Sequence, residues 1–156
     1  MAKLEVNVQK NSQNINMVVS INAPLEKVYQ AYTDSQLITQ WWNQGQPFTV
    51  DYYVPGVGGK WRYVMAGPQG EIGFHGTFHA WEENKMLIQT FEYEGLPETG
   101  HVALERADFI RISEYETEIR IISTFQNVED RDGMVASGME KGFRESINAL
   151  GRLLEK

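Results

Sequence analysis

A chain of 156 residues without cysteine excludes disulfides, thiol nucleophiles and thiolate metal sites, and is long enough to bury an ordinary core as one domain over 1–156. The 21 acidic against 14 basic residues give a net charge of −7, and the basic ones are scattered, which excludes an electrostatic footprint for nucleic acid or anionic lipid. The N-terminus MAKLEVNVQKNSQN lacks a signal-peptide core and no segment approaches the ~20 apolar residues that span a bilayer, so the expectation is a soluble, cytoplasmic protein.

The β-branched run INMVVSI at 15–21 predicts a first strand, which Asn22-Ala-Pro24 ends. Pro24 suits a helix start, and Leu25, Val28, Tyr29 and Tyr32 follow on one helical face. Asp34-Ser35 ends that helix and can cap a second, short one carrying Leu37, Ile38, Trp41 and Trp42. Neighbours on a helix point about 100° apart, so the paired tryptophans do not easily both sink into one core. Trp41 reads as a wedge between helix and sheet, Trp42 as the ring at a pocket mouth.

From Phe48 to Phe125 the period changes to two, punctuated by VPGVGG, AGPQGE, EENK, EGLPETG and SEYE. This pattern predicts an antiparallel meander with strands near 48–54, 60–66, 71–81, 85–93, 102–112 and 117–126. Phe74, Gly76, Phe78 and Ala80 share one face of their strand, opposite His75, Thr77 and His79. Comparable inward sets are Trp61, Tyr63 and Met65; Gln89, Phe91 and Tyr93; and Ile119, Ile121, Ser123 and Phe125.

The last residues regain helical spacing: Met139, Phe143, Ile147, Leu150 and Leu154 form one stripe, with Asp130 or Asp132 available as cap. Gly133, Gly138 and Gly142 each cost up to ~1 kcal/mol inside a helix, which close approach of the sheet or room for a ligand would offset. The sum is an α+β fold: a curved seven-stranded antiparallel sheet wrapped around one long C-terminal helix of about 37 Å, with two short helices after strand 1. Such an arrangement need not fill completely, and an internal cavity is expected.

Catalytic and metal motifs are weak. His75 and His79 lie about 13 Å apart along a strand, too far to share a metal ion. Gly56-Val-Gly-Gly-Lys60 lacks the spacing of a phosphate loop and carries Trp61 where Ser or Thr belongs. The acidic pairs fall at turns or on polar strand faces, and no Ser, His and carboxylate set assembles from spacing. An enzymatic role therefore has no named residue; no cofactor and no metal are expected. Arg62, Arg106, Arg111 or Arg120 could supply polar groups that orient a ligand.

In order along the chain, Pro24 with Val28 and Tyr29, Trp41-Trp42, Gly58-Gly59-Lys60-Trp61, Gly76, Glu94-Gly95 with Pro97, His101-Val102, and RDGM followed by SGMEKGF at 131–143 resemble the helix-grip (SRPBCC) superfamily of START domains and polyketide cyclases. More narrowly, the chain resembles proteins homologous to the activator of the ninety-kilodalton heat-shock protein ATPase. The resemblance covers roughly residues 14–155. It implies a fold that grips hydrophobic or amphipathic small molecules between sheet and helix, in roles that include binding, transport, cyclisation, stress response and co-chaperone action. His79 and His101 match positions that family fills with histidine, as structural hydrogen bonders or polar pocket groups.

The eukaryotic co-chaperone carries a companion domain without a counterpart in these residues, which weighs against chaperone stimulation. The expectation is binding of an apolar or amphipathic small molecule. A co-chaperone-like module and a cyclase- or hydrolase-like enzyme are the alternatives, with monomer and homodimer both open. The expected ligand pocket comprises Trp41, Trp42, Trp61, Tyr63, Met65, Phe74, Phe78, Phe91, Tyr93, Met134, Met139 and Phe143, the subset facing the helix, where methionines adapt to varied ligands.

Overall fold

The computed structural model describes residues 2–155. Strands β1 (Lys3–Asn7) and β2 (Asn14–Ile21) open the chain, followed by helices α1 (Leu25–Thr33) and α2 (Ser35–Ile38). A meander follows: β3 (Thr49–Val54), β4 (Lys60–Gly67), β5 (Gly70–Glu82), β6 (Met86–Tyr93), β7 (Val102–Ser113) and β8 (Glu116–Thr124). Helices α3 (Val128–Ala136) and α4 (Met139–Leu154) end it. All eight strands form one antiparallel sheet in the order β1-β2-β8-β7-β6-β5-β4-β3. The return of β8 beside β2 joins the chain's first strands to the meander.

The sheet has eight strands, one more than its sequence pattern suggests. β1 contributes only Leu4 and Val6 as alternating apolar residues, too short a run to stand out among Lys3, Glu5 and Asn7. Its stability comes from partners: Leu4 pairs with Val19 and Val6 with Met17, and Arg144 of α4 donates to the Leu4 carbonyl at 3.0 Å. These contacts are distant in sequence, which local periodicity does not register.

α1 places Leu25, Val28, Tyr29 and Tyr32 in the core as their spacing predicts, and Asp34 caps α2 by accepting from the Gln36 N–H at 2.9 Å. α2 is a single turn ending at Ile38, short of the tryptophans. Trp42 nevertheless donates its backbone N–H to the Ile38 carbonyl at 3.0 Å, so the pair sits on turns that prolong the helix until Gln44 and Gly45 reverse to positive φ.

The C-terminal helical segment is two helices, not one. Gly138 adopts φ +86°, a left-handed geometry that interrupts the ladder between Ala136 and Met139. Only Met139–Leu154 carries a strongly amphipathic face, burying Ile147, Ala149 and Leu150. At 16 residues this helix is about 24 Å long, not 37. The cap of α3 is Asn127, whose side chain accepts from the Asp130 N–H at 2.7 Å, rather than Asp130 or Asp132. Arg131 is 2 % exposed and donates to the Asn14 carbonyl at 2.9 Å, fastening α3 to the start of β2.

One strand face departs from simple alternation. The β5–β6 register shifts between Phe78 and Ala80, so Trp81, rather than Ala80, follows Phe78 onto the core side, its ring 5.0 Å from that of Phe78. A bulge adds one residue and exchanges the faces beyond it.

Replacing Gly138 with alanine forces a β-carbon into the left-handed region. Chemical denaturation should record a loss of about 1–2 kcal/mol for Gly138→Ala, against a gain of up to about 1 kcal/mol for Gly133→Ala within α3, where a β-carbon meets nothing within 4 Å.

Candidate functional site

Between the concave sheet face and the two C-terminal helices lies a cavity of about 890 Å³, near the upper end of the ~300–1,000 Å³ typical of small-molecule sites. All twelve residues expected to form a pocket line it. β4 supplies Trp61, Tyr63 and Met65; β5 supplies Phe74 and Phe78; β6 supplies Phe91 and Tyr93. Met134 reaches in from α3, Met139 and Phe143 from α4, and Trp41 and Trp42 from the turns after α2. Period-two alternation brings every sheet member to one face, because β4 and β5 pair as Trp61 with Gly76 and Tyr63 with Phe74.

The tandem tryptophans differ in burial, Trp41 lying in the core and Trp42 in the aromatic wall of the cavity. Trp41 is 2 % exposed, donates its indole N–H to the Ala31 carbonyl at 2.9 Å, and lies 4.7 Å from the Tyr32 ring. Trp42 is half-buried at the centre of an aromatic cluster, with ring centroids 4.9 Å from Tyr63, 5.4 Å from Phe74 and 5.7 Å from Phe48. Its backbone is held by α4: the Ser146 hydroxyl donates to the Trp42 carbonyl at 2.9 Å and accepts from the Gln44 N–H at 3.1 Å. Gly76 lets Trp61 lie flat on the sheet, since a β-carbon there would collide with the Trp61 ring and the Thr90 carbonyl.

The mouth is polar. His101, at the entry to β7, places Nδ1 3.0 Å from Asp130 of α3, with Glu98 nearby. The hydrogen bond to Asp130 is the main cause of an upward shift of the His101 pKa, aided by the charge of the same carboxylate. The residue is therefore both a pocket-rim group and a strut. His79 is exposed on the opposite face of the sheet.

The four arginines named as possible ligand partners are all outside the cavity. Arg62 bonds Glu94 at 2.8 and 2.9 Å and Asp51 at 2.9 Å; Arg106 pairs with Asp108, Arg111 with Glu26 and Arg120 with Glu118. Arg62, Arg106 and Arg120 fall on the outward parity of their strands, whereas Arg111 shares the parity of Ala107 and Phe109 but lies exposed at the end of β7, tied to Glu26 of α1. The Arg62 guanidinium, with help from His75, holds the Glu94 carboxyl down to about 2. Among the described residues, no group of three or more His, Cys, Asp or Glu side chains is arranged to hold a metal ion.

The inner polar groups belong to none of the acidic pairs of the sequence. Gln89, Glu105 and Ser123 are direct cross-strand neighbours on β6, β7 and β8, and together form a polar row in an otherwise apolar wall. Gln89 donates to the Glu105 carboxyl at 3.4 Å. Burial pushes that carboxyl above the ordinary carboxylate range, partly offset by hydrogen bonds from Gln89 and Ser123. Its partial solvent exposure reflects the cavity it faces. The signal was present in VALERADF: Glu105 shares parity with Ala103, Ala107 and Phe109, all buried.

A curved antiparallel sheet, a C-terminal helix laid across it and a cavity between them define the helix-grip class of proteins, within the superfamily of START domains and polyketide cyclases. The family model for activator of Hsp90 ATPase homolog 1-like proteins matches residues 22–155, and the chain belongs to that family. Solved structures agree on the fold. A protein from Rhodobacter sphaeroides is 24% identical, with a TM-score of 0.84 over 97% of each chain. One from Arthrobacter aurescens is 25% identical, with a TM-score of 0.83 over 94% of this chain and 88% of that one. DynU16, a protein of the dynemicin biosynthetic locus, is 18% identical and matches with a TM-score of 0.72 over 93% of this chain and 48% of its own. A search among curated proteins found no match.

Trp41→Ala should lower stability by ~3–5 kcal/mol, since it removes a buried ring and leaves the Ala31 carbonyl without its donor, whereas Trp42→Ala should cost less. Urea denaturation of the two variants checks the division, and equal losses would remove it. For Glu105 the folded-state pKa lies above the unfolded value near 4.3, so the native state binds the proton more tightly. Stability is then greatest below the unfolded value and falls as pH rises through the folded one. Glu105→Gln should therefore raise the melting temperature at pH 7–8 and leave it nearly unchanged at pH 4.

Proposed function

We propose that this protein binds a neutral, apolar or amphipathic small molecule in the cavity between sheet and helices, acting in the cytoplasm as a carrier or sensor of that molecule. The observation that carries this reading is the cavity wall, in which aromatic and methionine side chains from three strands and both C-terminal helices meet around about 890 Å³. Aromatic rings supply large apolar contact at little entropic cost, and Met65, Met134 and Met139 can reshape around different ligands. The glycines at 133 and 142 also line the cavity, which gives their presence in helices a role.

An enzymatic role is favoured by a separate observation: Glu105 is a titratable acid held in apolar surroundings, the kind of group that proton-transfer chemistry requires. The family's description points to a chaperone ATPase as a further partner, for which stimulated ATP hydrolysis by the purified chain is the direct assay.

Native mass spectrometry of the purified protein, followed by a thermal-shift screen with lipids and polycyclic aromatic compounds, tests the binding reading. The expected result is a co-purified or added ligand at one-to-one stoichiometry, with Trp42→Ala reducing its affinity about tenfold or more while remaining folded. Absence of binding across the screen would overturn the reading. Recovery of a ligand of altered mass would establish turnover instead.

A further inference from the structure

The sheet floor of the cavity carries one polar row. Gln89, Glu105 and Ser123 stand side by side on β6, β7 and β8, and all three line the cavity. Phe78 is the β5 register partner of Gln89, so the row ends against a ring. Ala103 and Ala107 flank Glu105 on its own strand and face, and both are small and buried. Glu105 itself stays partly exposed, and the exposure is to the cavity. An apolar residue there would avoid the cost of enclosing an acid, so the fold alone does not call for it.

The protein's own groups use only part of this row's hydrogen-bonding capacity. A carboxylate has about four acceptor sites. Gln89 meets one from 3.4 Å, longer than a typical N–H···O bond, and the Ser123 hydroxyl meets another. A carboxylic acid in the same place would offer an O–H and still accept, and the Gln89 amide and Ser123 hydroxyl each donate and accept as well. Whichever form Glu105 takes, the row matches a ligand group that does both.

Charge around the cavity narrows the ligand further. Among the described residues no Lys or Arg lines it, whereas the carboxyl groups of Glu98, Glu105, Glu129 and Asp130 do. His101 is the one basic side chain in the lining, and Asp130 holds it at 3.0 Å. An anionic ligand would pass the carboxylates of the rim and find no cation inside. An organic cation would gain attraction but must give up its hydration in an apolar enclosure, a cost that one carboxylate roughly offsets. An uncharged hydroxyl bears no such cost and meets both the donors and the acceptors of the row.

We infer that Gln89, Glu105 and Ser123 form the polar subsite of the cavity, and that its ligand is an uncharged hydroxylated aromatic molecule, a phenol or aryl alcohol, seated with its hydroxyl on this row. Phe91 lies two residues from Gln89 on the same strand face, with its ring 5.5 Å from that of Phe74 and 6.2 Å from that of Trp61. The ligand's rings therefore have an aromatic surface directly beside the place where its hydroxyl is held. The inference rests on the cavity-binding reading above and adds the polar group that the ligand carries and the residues that meet it.

Calorimetry at neutral pH on the full chain compares probes of like shape, 2-naphthol, 2-methylnaphthalene, 2-naphthoate and 2-(aminomethyl)naphthalene, with wild type, Glu105→Leu, Glu105→Gln and Ser123→Ala. Wild type should prefer 2-naphthol about tenfold over the hydrocarbon and bind the anion more weakly than either. Glu105→Leu should weaken 2-naphthol about tenfold and change the hydrocarbon by less than about twofold, a difference that a merely structural role would not produce. Glu105→Gln keeps a donor and an acceptor and should retain most of the 2-naphthol affinity. Ser123→Ala, the mildest change, should weaken 2-naphthol about threefold and decides the matter if the leucine variant fails to fold. Equal affinity of wild type for 2-naphthol and the hydrocarbon, or substitutions that shift both alike, would overturn the polar subsite while cavity binding stands. Tightest binding of the amine or of the carboxylate would overturn the uncharged ligand. If no probe binds wild type, the inference falls, and the lipid and polycyclic screen decides the cavity reading on its own.

Discussion

Sixteen helical residues cannot cover the concave face of an eight-stranded sheet, and the backbone at Gly138 ensures that no more than sixteen are laid against it in one run. The stripe of Ile147, Leu150 and their neighbours packs the part of the sheet nearest β1, where Arg144 also reaches the Leu4 carbonyl. On the other side of the break, α3 buries only Arg131 and presents Gly133 and Met134 to the interior. The broad aromatic half of the sheet is thus left facing a cavity rather than a second apolar stripe. An unbroken helix would have extended the stripe and closed that volume with side chains.

The same sheet sorts its charges by face. Outside, Arg62, Arg106 and Arg120 each find a carboxylate in high-dielectric surroundings, where such pairs contribute little to stability. Inside, Glu105 is met by neutral groups, the Gln89 amide and the Ser123 hydroxyl. An acid so placed is a cost to folding at neutral pH, and its retention is most simply connected to the cavity it faces.

Much of this was legible in the sequence. Period-two patterning located six strands of the meander and the inward rings, because each lies on a long run where one face is buried throughout. The adjacent tryptophans differ in burial, as neighbours about 100° apart on helical turns do. What escaped were features decided by distant partners or by a single backbone angle. β1 is too short to announce itself, the bulge at His79 exchanges faces within an otherwise regular strand, and a glycine inside a helical pattern does not declare whether it bends or breaks the helix. Arg131, within the most recognisable motif of the chain, is a buried bolt rather than a ligand group. Glu105 escapes for a different reason: a paired carboxylate is visible in the sequence, whereas a lone one gains its properties from the apolar wall that the fold builds around it.

Ser146 ties α4 to the turns that carry the tandem tryptophans. Its hydroxyl holds the Trp42 carbonyl and the Gln44 amide, so the main chain at the tandem tryptophans travels with α4 while the Trp42 ring rests among residues of the sheet. A displacement of the helix by even a fraction of an ångström must then slide an indole across its aromatic neighbours. The position of the helix is thereby coupled to the packing of the Trp42 ring, one of two half-buried tryptophans, the other being Trp81.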